Sequence, residues 1–156
     1  MSGVMNIAFA QELPVSSVRV LIVDDFDIWK NFLTTCLENR PDIRIAGFAS
    51  DGLEAVRKAE ELQPDLILLD ISLPKLSGIE AARQIRKLAP NARILFLSCH
   101  SDPDVVRAAF SAGGQGYILK WDAPGALWPG LEAILNDKRF LSDSLRNLDD
   151  LTDTAT

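Results

Sequence analysis

Five short apolar segments alternate along the chain with five segments in which apolar residues recur at helical spacing. A continuous apolar run is typical of a strand buried on both faces of a parallel sheet, and the helical spacing predicts a helix with one buried stripe. Because crossovers between parallel strands are right-handed, the alternation predicts a doubly wound α/β fold with helices on both faces of a five-stranded parallel sheet. The predicted strands are residues 18–23, 43–49, 65–70, 93–98 and 116–120.

The composition narrows the class of protein. The 156 residues carry 22 acidic and 16 basic side chains, a net charge of -6, which disfavours sequence-independent binding to nucleic acid. No stretch approaches the ~18 consecutive apolar residues of a membrane span. Cys36 and Cys99 form neither a CxxC pair nor a spaced framework, so a reducing, cytoplasmic setting is expected. We expect one domain over residues 18–138, a disordered extension at 1–17 and an acidic tail or linker at 139–156.

Polar side chains stand where the predicted strands end. Asp24 and Asp25 follow the first strand, and Asp70, Ser98 and Lys120 end the third, fourth and fifth strands. The carboxyl ends of parallel strands meet at one edge of the sheet, where ligands of such folds bind. We therefore expect three acids, a hydroxyl and an ammonium group to converge there.

The crowding of the three acids points to a bound cation. Two carboxylates ~4 Å apart repel by about 4 kcal/mol at an effective dielectric constant near 20. Protonation is one solution, as in a pair of aspartates that share a proton. Oxygen ligands around an open coordination shell, however, suit Mg2+, which keeps water ligands and shares substrate phosphate oxygens.

The motif residues resemble those of a known family. They are the acidic pair Asp24-Asp25, then Asp70 followed by Leu73-Pro74 and Gly78, then Ser98, and then the run from Gly116 and Tyr117 to Lys120. From Val18 to Lys138 the sequence resembles the receiver domain of bacterial two-component response regulators. That resemblance implies the flavodoxin-like (βα)5 receiver fold.

The resemblance implies a function for the acidic edge. Asp70 would accept a phosphoryl group from a phosphohistidine on a sensor histidine kinase or a phosphotransfer protein. Asp24, Asp25 and the Asp70 side chain would hold Mg2+, joined by the backbone carbonyl of Ser72. Lys120 would neutralise a phosphoryl oxygen. The chain would then act as a switch in two-component signal transduction and not as an enzyme that turns over an external substrate.

The resemblance also implies how the switch works. Ser98 would donate a hydrogen bond to the new phosphoryl group, and Tyr117 resembles the rotating aromatic residue that fills the space behind it. Homodimer formation on phosphorylation is one expected outcome.

His100 stands where the family tunes the lifetime of the phosphoryl group, although an exposed loop imidazole explains it equally well. Trp121 replaces a common proline, and Trp29 is expected to belong to the core.

Three other classes of protein are alternatives to a phosphorylated receiver. A haloacid-dehalogenase-like phosphatase also uses an aspartyl nucleophile, but position 72 is serine and offers no general acid two residues past Asp70. A flavin-binding protein of the same layer order would need a hydroxyl-rich phosphate loop where Asp24 and Asp25 stand. A degenerate receiver that serves only as an interaction module would not need all five motif positions filled.

The end of the predicted domain bears on its output. Arg139-Phe-Leu-Ser142 resembles the receiver-to-linker junction of regulators with a LuxR-type helix-turn-helix domain, so a link to transcription regulation is expected. The residues after Ser142 are too few and too acidic for a DNA-binding domain. We therefore expect this chain alone not to bind DNA. It is either a stand-alone receiver or a fragment.

Overall fold

The structure, a computed structural model, describes residues 17–148, which form a six-stranded parallel sheet in the order β2-β1-β3-β4-β5-β6. The strands are β1 (Val18–Val23), β2 (Ile43–Ala49), β3 (Leu66–Leu69), β4 (Arg93–Ser98), β5 (Gly116–Leu119) and β6 (Phe140–Leu141). The helices are α1 (Asp27–Leu37), α2 (Gly52–Leu62), α3 (Gly78–Leu88), α4 (Pro103–Ser111) and α5 (Ala123–Leu135). The predicted doubly wound parallel α/β fold is confirmed.

Side-chain caps define where the helices begin. The Asp51 carboxylate accepts a hydrogen bond from the backbone N–H of Glu54 at the start of α2. The Ser77 hydroxyl accepts one from Glu80 at the start of α3, and a proline occupies the first turn of α4. Such caps satisfy N–H groups that the first helical turn leaves unpaired.

The sheet buries both of its faces, and successive residues of a strand point to opposite sides. In β1, Leu21 and Val23 pack in the cluster that contains residues of α2, α3 and α4, whereas Val20 and Ile22 pack in the cluster of α1 and α5. This two-sided burial explains why the strands read as continuous apolar runs instead of alternating patterns.

A sixth strand stands where the sequence analysis predicted a tail. β6 pairs in parallel with β5, and a 3-10 helix at Asp143–Leu148 follows it. The buried hydroxyl of Ser142 accepts a hydrogen bond from the N–H of Leu119 at 3.0 Å, and Leu145 is only 1% exposed. β6 thus covers a strand edge that would otherwise present unpaired backbone groups. The sheet therefore has six strands and not the five that the sequence predicted. The sequence pattern missed β6 because a two-residue strand is too short to show a hydrophobic period.

The predicted disordered extension, apart from residue 17, and the end of the predicted acidic tail lie outside the described residues. Within residues 17–148, no helix is long and apolar enough to cross a membrane.

The packing of Leu145 gives a test of the domain boundary. Leu145→Ala should lower the free energy of unfolding by about 2–4 kcal/mol, because it leaves a cavity in the core. Leu53→Ala makes the same chemical change at a position on α2 that is 52% exposed, and it should cost less than about 0.5 kcal/mol. Urea unfolding measures both variants. Equally small losses would contradict the inclusion of residues 140–148 in the folded unit.

Candidate functional site

The candidate site lies where the carboxyl ends of β1 and β3 stand side by side. The chain leaves β1 toward β2 on one side and returns to β3 on the other, and this reversal opens a crevice at the strand ends. Asp24 and Asp25 follow β1, and Asp70 follows β3 with its N–H donating to the carbonyl of Val23 at 3.1 Å. One carboxylate oxygen from each of the three acids lies within 4.8 Å of the others.

Lys120 enters this acidic cluster from the end of β5. Its Nζ lies 2.8 Å from Oδ2 of Asp24 and 3.2 Å from Oδ2 of Asp70. All three side chains are buried, so little water screens their charges. The structure therefore brings together four of the five strand-end residues that the sequence singled out, from three different strands.

Burial and charge act in opposite directions on the ionisable groups. Burial raises the pKa of the Asp70 carboxyl above its ordinary value, while the Lys120 ammonium counteracts the rise and Asp24 adds to it. Burial by itself lowers the pKa of Lys120, but its contacts with Asp24 and Asp70 leave that pKa above its ordinary value. Lys120 is therefore charged at neutral pH, in a setting that disfavours ionisation of Asp70.

Asp25 is the acid that the lysine leaves without a partner. Its Oδ1 is buried and has no hydrogen-bond partner among the described residues. A buried carboxylate oxygen without a donor is unfavourable. Because three carboxylates face one ammonium group, the cluster has oxygen ligands to spare for a hard divalent cation.

A glycine sets the path of the loop behind Asp70. A Cβ on Gly78 would lie 2.0 Å from the backbone oxygen of Asp70, a distance that backbone atoms do not permit. The N–H of Gly78 donates to the carbonyl of Ile71 at 2.8 Å, and the N–H of Ile71 donates to Oδ1 of Asp70 at 2.7 Å. Gly78 thus lets α3 begin directly against the loop that orients the Asp70 carboxylate.

Ser98 belongs to a second group of contacts, centred on His100. The buried Ser98 hydroxyl accepts a hydrogen bond from the N–H of His100 at 3.0 Å. The Tyr117 hydroxyl donates to the carbonyl of His100 at 2.6 Å, and burial raises the pKa of Tyr117 to about 12. Nε2 of His100 lies 2.6 Å from Oγ of Ser72. His100 therefore joins the loops after β3 and β4 to the Tyr117 side chain of β5.

Sequence reasoning missed the aromatic partner of the lysine. Trp29 packs against the core as expected, but its ring centroid also lies 4.9 Å from Nζ of Lys120. The available signal was its position four residues after Asp25, one helical turn from the acidic cluster. Trp121 follows Lys120 in the sequence, yet it is 58% exposed and donates to Oγ of Ser144 at 3.3 Å.

Comparison with known proteins agrees with this fold. Residues 20–128 match the family described as the response regulator receiver domain. The chain therefore belongs to the response regulator receiver domain family. The predicted family and the receiver fold are both confirmed.

Named relatives share this domain as part of longer proteins. The transcriptional regulatory protein LiaR of Bacillus subtilis is 42% identical over 103 residues, which are 66% of this chain and 49% of LiaR. A protein-glutamate methylesterase/protein-glutamine glutaminase of Thermotoga maritima is 48% identical over 104 residues, 66% of this chain and 30% of that protein. The chain thus spans half or less of these relatives.

A solved structure extends the likeness to most of the described residues. The crystal structure of a LuxR-family two-component response regulator from Aurantimonas sp. SI85-9A1 is 36% identical, with a TM-score of 0.79. The match covers 85% of this chain and 94% of that chain. The chain is therefore homologous to regulators of two-component systems.

The crowding of the acids predicts that the site destabilises the folded state. In the absence of divalent cations, Asp70→Asn should raise the free energy of unfolding at neutral pH by about 1 kcal/mol. A neutral amide removes both the cost of burying a charge and the repulsion from Asp24. Folding raises the pKa of Asp70, so its ionised form destabilises the folded state. The gain should therefore shrink as the pH falls and should vanish below the ordinary pKa of 3.8, where the carboxyl is neutral in both the folded and the unfolded state.

Urea unfolding in the presence of a chelator measures this difference across the pH range. Asp27→Asn is the matched control, because it neutralises an exposed acid of α1 outside the cluster. An Asp70→Asn variant that is less stable than the wild type at neutral pH would contradict the assignment of repulsion to this site.

Proposed function

We propose that this chain is a phosphorylation-controlled switch in which Asp70 accepts a phosphoryl group from a phosphohistidine. The donor would be a sensor histidine kinase or a phosphotransfer protein. The observation that carries the proposal is the placement of Asp70, a buried carboxylate at the sheet edge that contacts an ammonium group and adjoins two further acids. Family membership supports the same function.

The acidic cluster fits a magnesium ion. Asp24, Asp25 and Asp70 would supply carboxylate ligands, with the backbone carbonyl of Ser72 as a fourth protein ligand. The unpartnered buried Oδ1 of Asp25 supports this assignment, because a metal ligand is what that atom lacks. When bound, Mg2+ would neutralise acid charge and phosphoryl oxygens at the same place.

The transfer itself needs positioning and charge neutralisation more than covalent help from other residues. A carboxylate oxygen of Asp70 would form a bond to phosphorus while the phosphorus–nitrogen bond of the donor breaks. The electron pair of that bond leaves with the imidazole, which takes up a proton. Lys120, already in contact with Asp70, would donate a hydrogen bond to an oxygen of the transferred group.

The contacts of His100 suggest how phosphorylation would change the surface. The hydroxyl of Ser98 accepts a hydrogen bond from the N–H of His100 and would donate its own hydrogen to a phosphoryl oxygen. The Tyr117 hydroxyl contacts the carbonyl of the same residue. A shift of Ser98 toward the phosphoryl group would therefore disturb His100 and release Tyr117, so that local charge biases a two-state element.

The output of the switch would be a change in protein contacts. We assign the chain no turnover of an external substrate, and we place it in the cytoplasm as part of transcription regulation. Phosphorylation would alter the surface around α4, β5 and α5, with homodimer formation as one outcome. DNA binding by this chain alone is not expected, because its net charge of -6 opposes contact with phosphates.

Labelling with a small acyl phosphate tests the proposal. Intact-protein mass spectrometry should show one added phosphoryl group on the wild type with Mg2+ and none with a chelator. Asp70→Asn should remain unlabelled, whereas Asp27→Asn, which neutralises an exposed acid outside the cluster, should label like the wild type. Equal labelling of the wild type and Asp70→Asn would refute the assignment of Asp70.

A further inference from the structure

The Lys120 ammonium contacts two carboxylates and one aromatic ring. Its Nζ lies 2.8 Å from Oδ2 of Asp24 and 3.2 Å from Oδ2 of Asp70. The ring centroid of Trp29 lies 4.9 Å from the same atom. A cation over an aromatic face at this distance is attracted to the ring, and the attraction is stronger away from water.

The Trp29 ring also packs against other apolar side chains. Its edge-to-face contact with Phe32 has a centroid distance of 5.4 Å and an interplanar angle of 82°, and it packs against the core cluster of α1 and α5. Its backbone N–H donates to the carbonyl of Phe26 at 3.1 Å, within the first turn of α1. Packing against Phe32 and this core cluster therefore places the indole beside the lysine.

The other two tryptophans do not have this role in the described part of the chain. Trp121 contacts Ser144 and is mostly exposed. Trp128 lies in α5, and the guanidinium of Arg40 stands 4.6 Å from its ring centroid. The Arg40–Trp128 pair is chemically similar to the Lys120–Trp29 pair but involves none of the acidic-cluster residues, which makes it an internal control.

We propose that Trp29 is a positioning residue that holds the Lys120 ammonium against Asp70 for phosphoryl transfer. An aromatic face attracts the ammonium without accepting one of its hydrogens in a conventional hydrogen bond. The three N–H donors thus stay available for Asp24, Asp70 and an incoming phosphoryl oxygen, while the ring keeps water from that side. The inference rests on the proposed function and adds a residue to its site.

The test compares side chains of graded affinity for a cation. Trp29→Leu keeps an apolar side chain but removes the aromatic face, and it should lower the rate of Asp70 labelling by a small acyl phosphate about three- to tenfold. Trp29→Phe should fall between Trp29→Leu and the wild type, because phenylalanine attracts cations less strongly than tryptophan. Trp128→Leu, which removes the Arg40 pair, should label at the wild-type rate.

A double-mutant cycle separates positioning from a general structural role. In a Lys120→Met background, Trp29→Leu and Trp29→Phe should cause no further loss of labelling rate, since the ring has no ammonium to hold. Losses of the same factor in both backgrounds would overturn the proposal, and so would wild-type rates in both Trp29 variants. If Trp29→Leu does not fold, the Trp29→Phe comparison alone decides.

The same cycle measured by urea unfolding does not depend on phosphorylation. Coupled effects of Trp29→Leu or Trp29→Phe with Lys120→Met on stability are expected, and additive effects would overturn the contact that the proposal requires. A wild-type protein that shows no labelling at Asp70 would refute the proposed function and the role of Trp29 in transfer, whereas the unfolding cycle would then still report on the contact. The two failures are therefore distinguishable.

Discussion

The ion pairs of Lys120 with Asp24 and Asp70 are the interaction on which the rest of the site depends. They join the ends of three strands that are distant in sequence, and they do so where almost no solvent screens the charges. A buried ion pair is costly unless its members are well paired, so its geometry must be enforced by the fold. The parallel strands bring the groups to one edge, and Gly78 lets the loop behind Asp70 take its path.

Two sets of contacts surround the position of Lys120. On one side, the carboxylates and the Trp29 ring surround its ammonium group. On the other side, the segment after α5 contacts the residues next to Lys120. Ser142 accepts a hydrogen bond from Leu119, which precedes the lysine, and Ser144 forms hydrogen bonds with Asp122, two residues after it. The added strand β6 therefore does more than cover an edge. Through Ser142 and Ser144, the segment that contains β6 contacts Leu119 and Asp122, which flank Lys120 in the sequence.

The sequence was sufficient for the fold and for the membership of the acidic cluster. Continuous apolar runs, the caps Asp51 and Ser77 and the polar strand ends are local patterns, and parallel topology converts them into a single edge. The partner atoms were not predictable in this way. The approach of Trp29 to Lys120 and the bridge from His100 to Ser72 depend on side-chain directions set by packing between elements, and β6 is too short to carry a periodic signal.

One ammonium group leaves the acidic cluster short of positive charge, and Asp25 is the member whose buried oxygen has no partner among the described residues. Calorimetric titration of Mg2+ into the metal-free chain tests it most directly. We expect a single saturable site that Asp25→Asn abolishes and that Asp27→Asn retains. Absence of saturable binding, or equal binding by the wild type and Asp25→Asn, would contradict it.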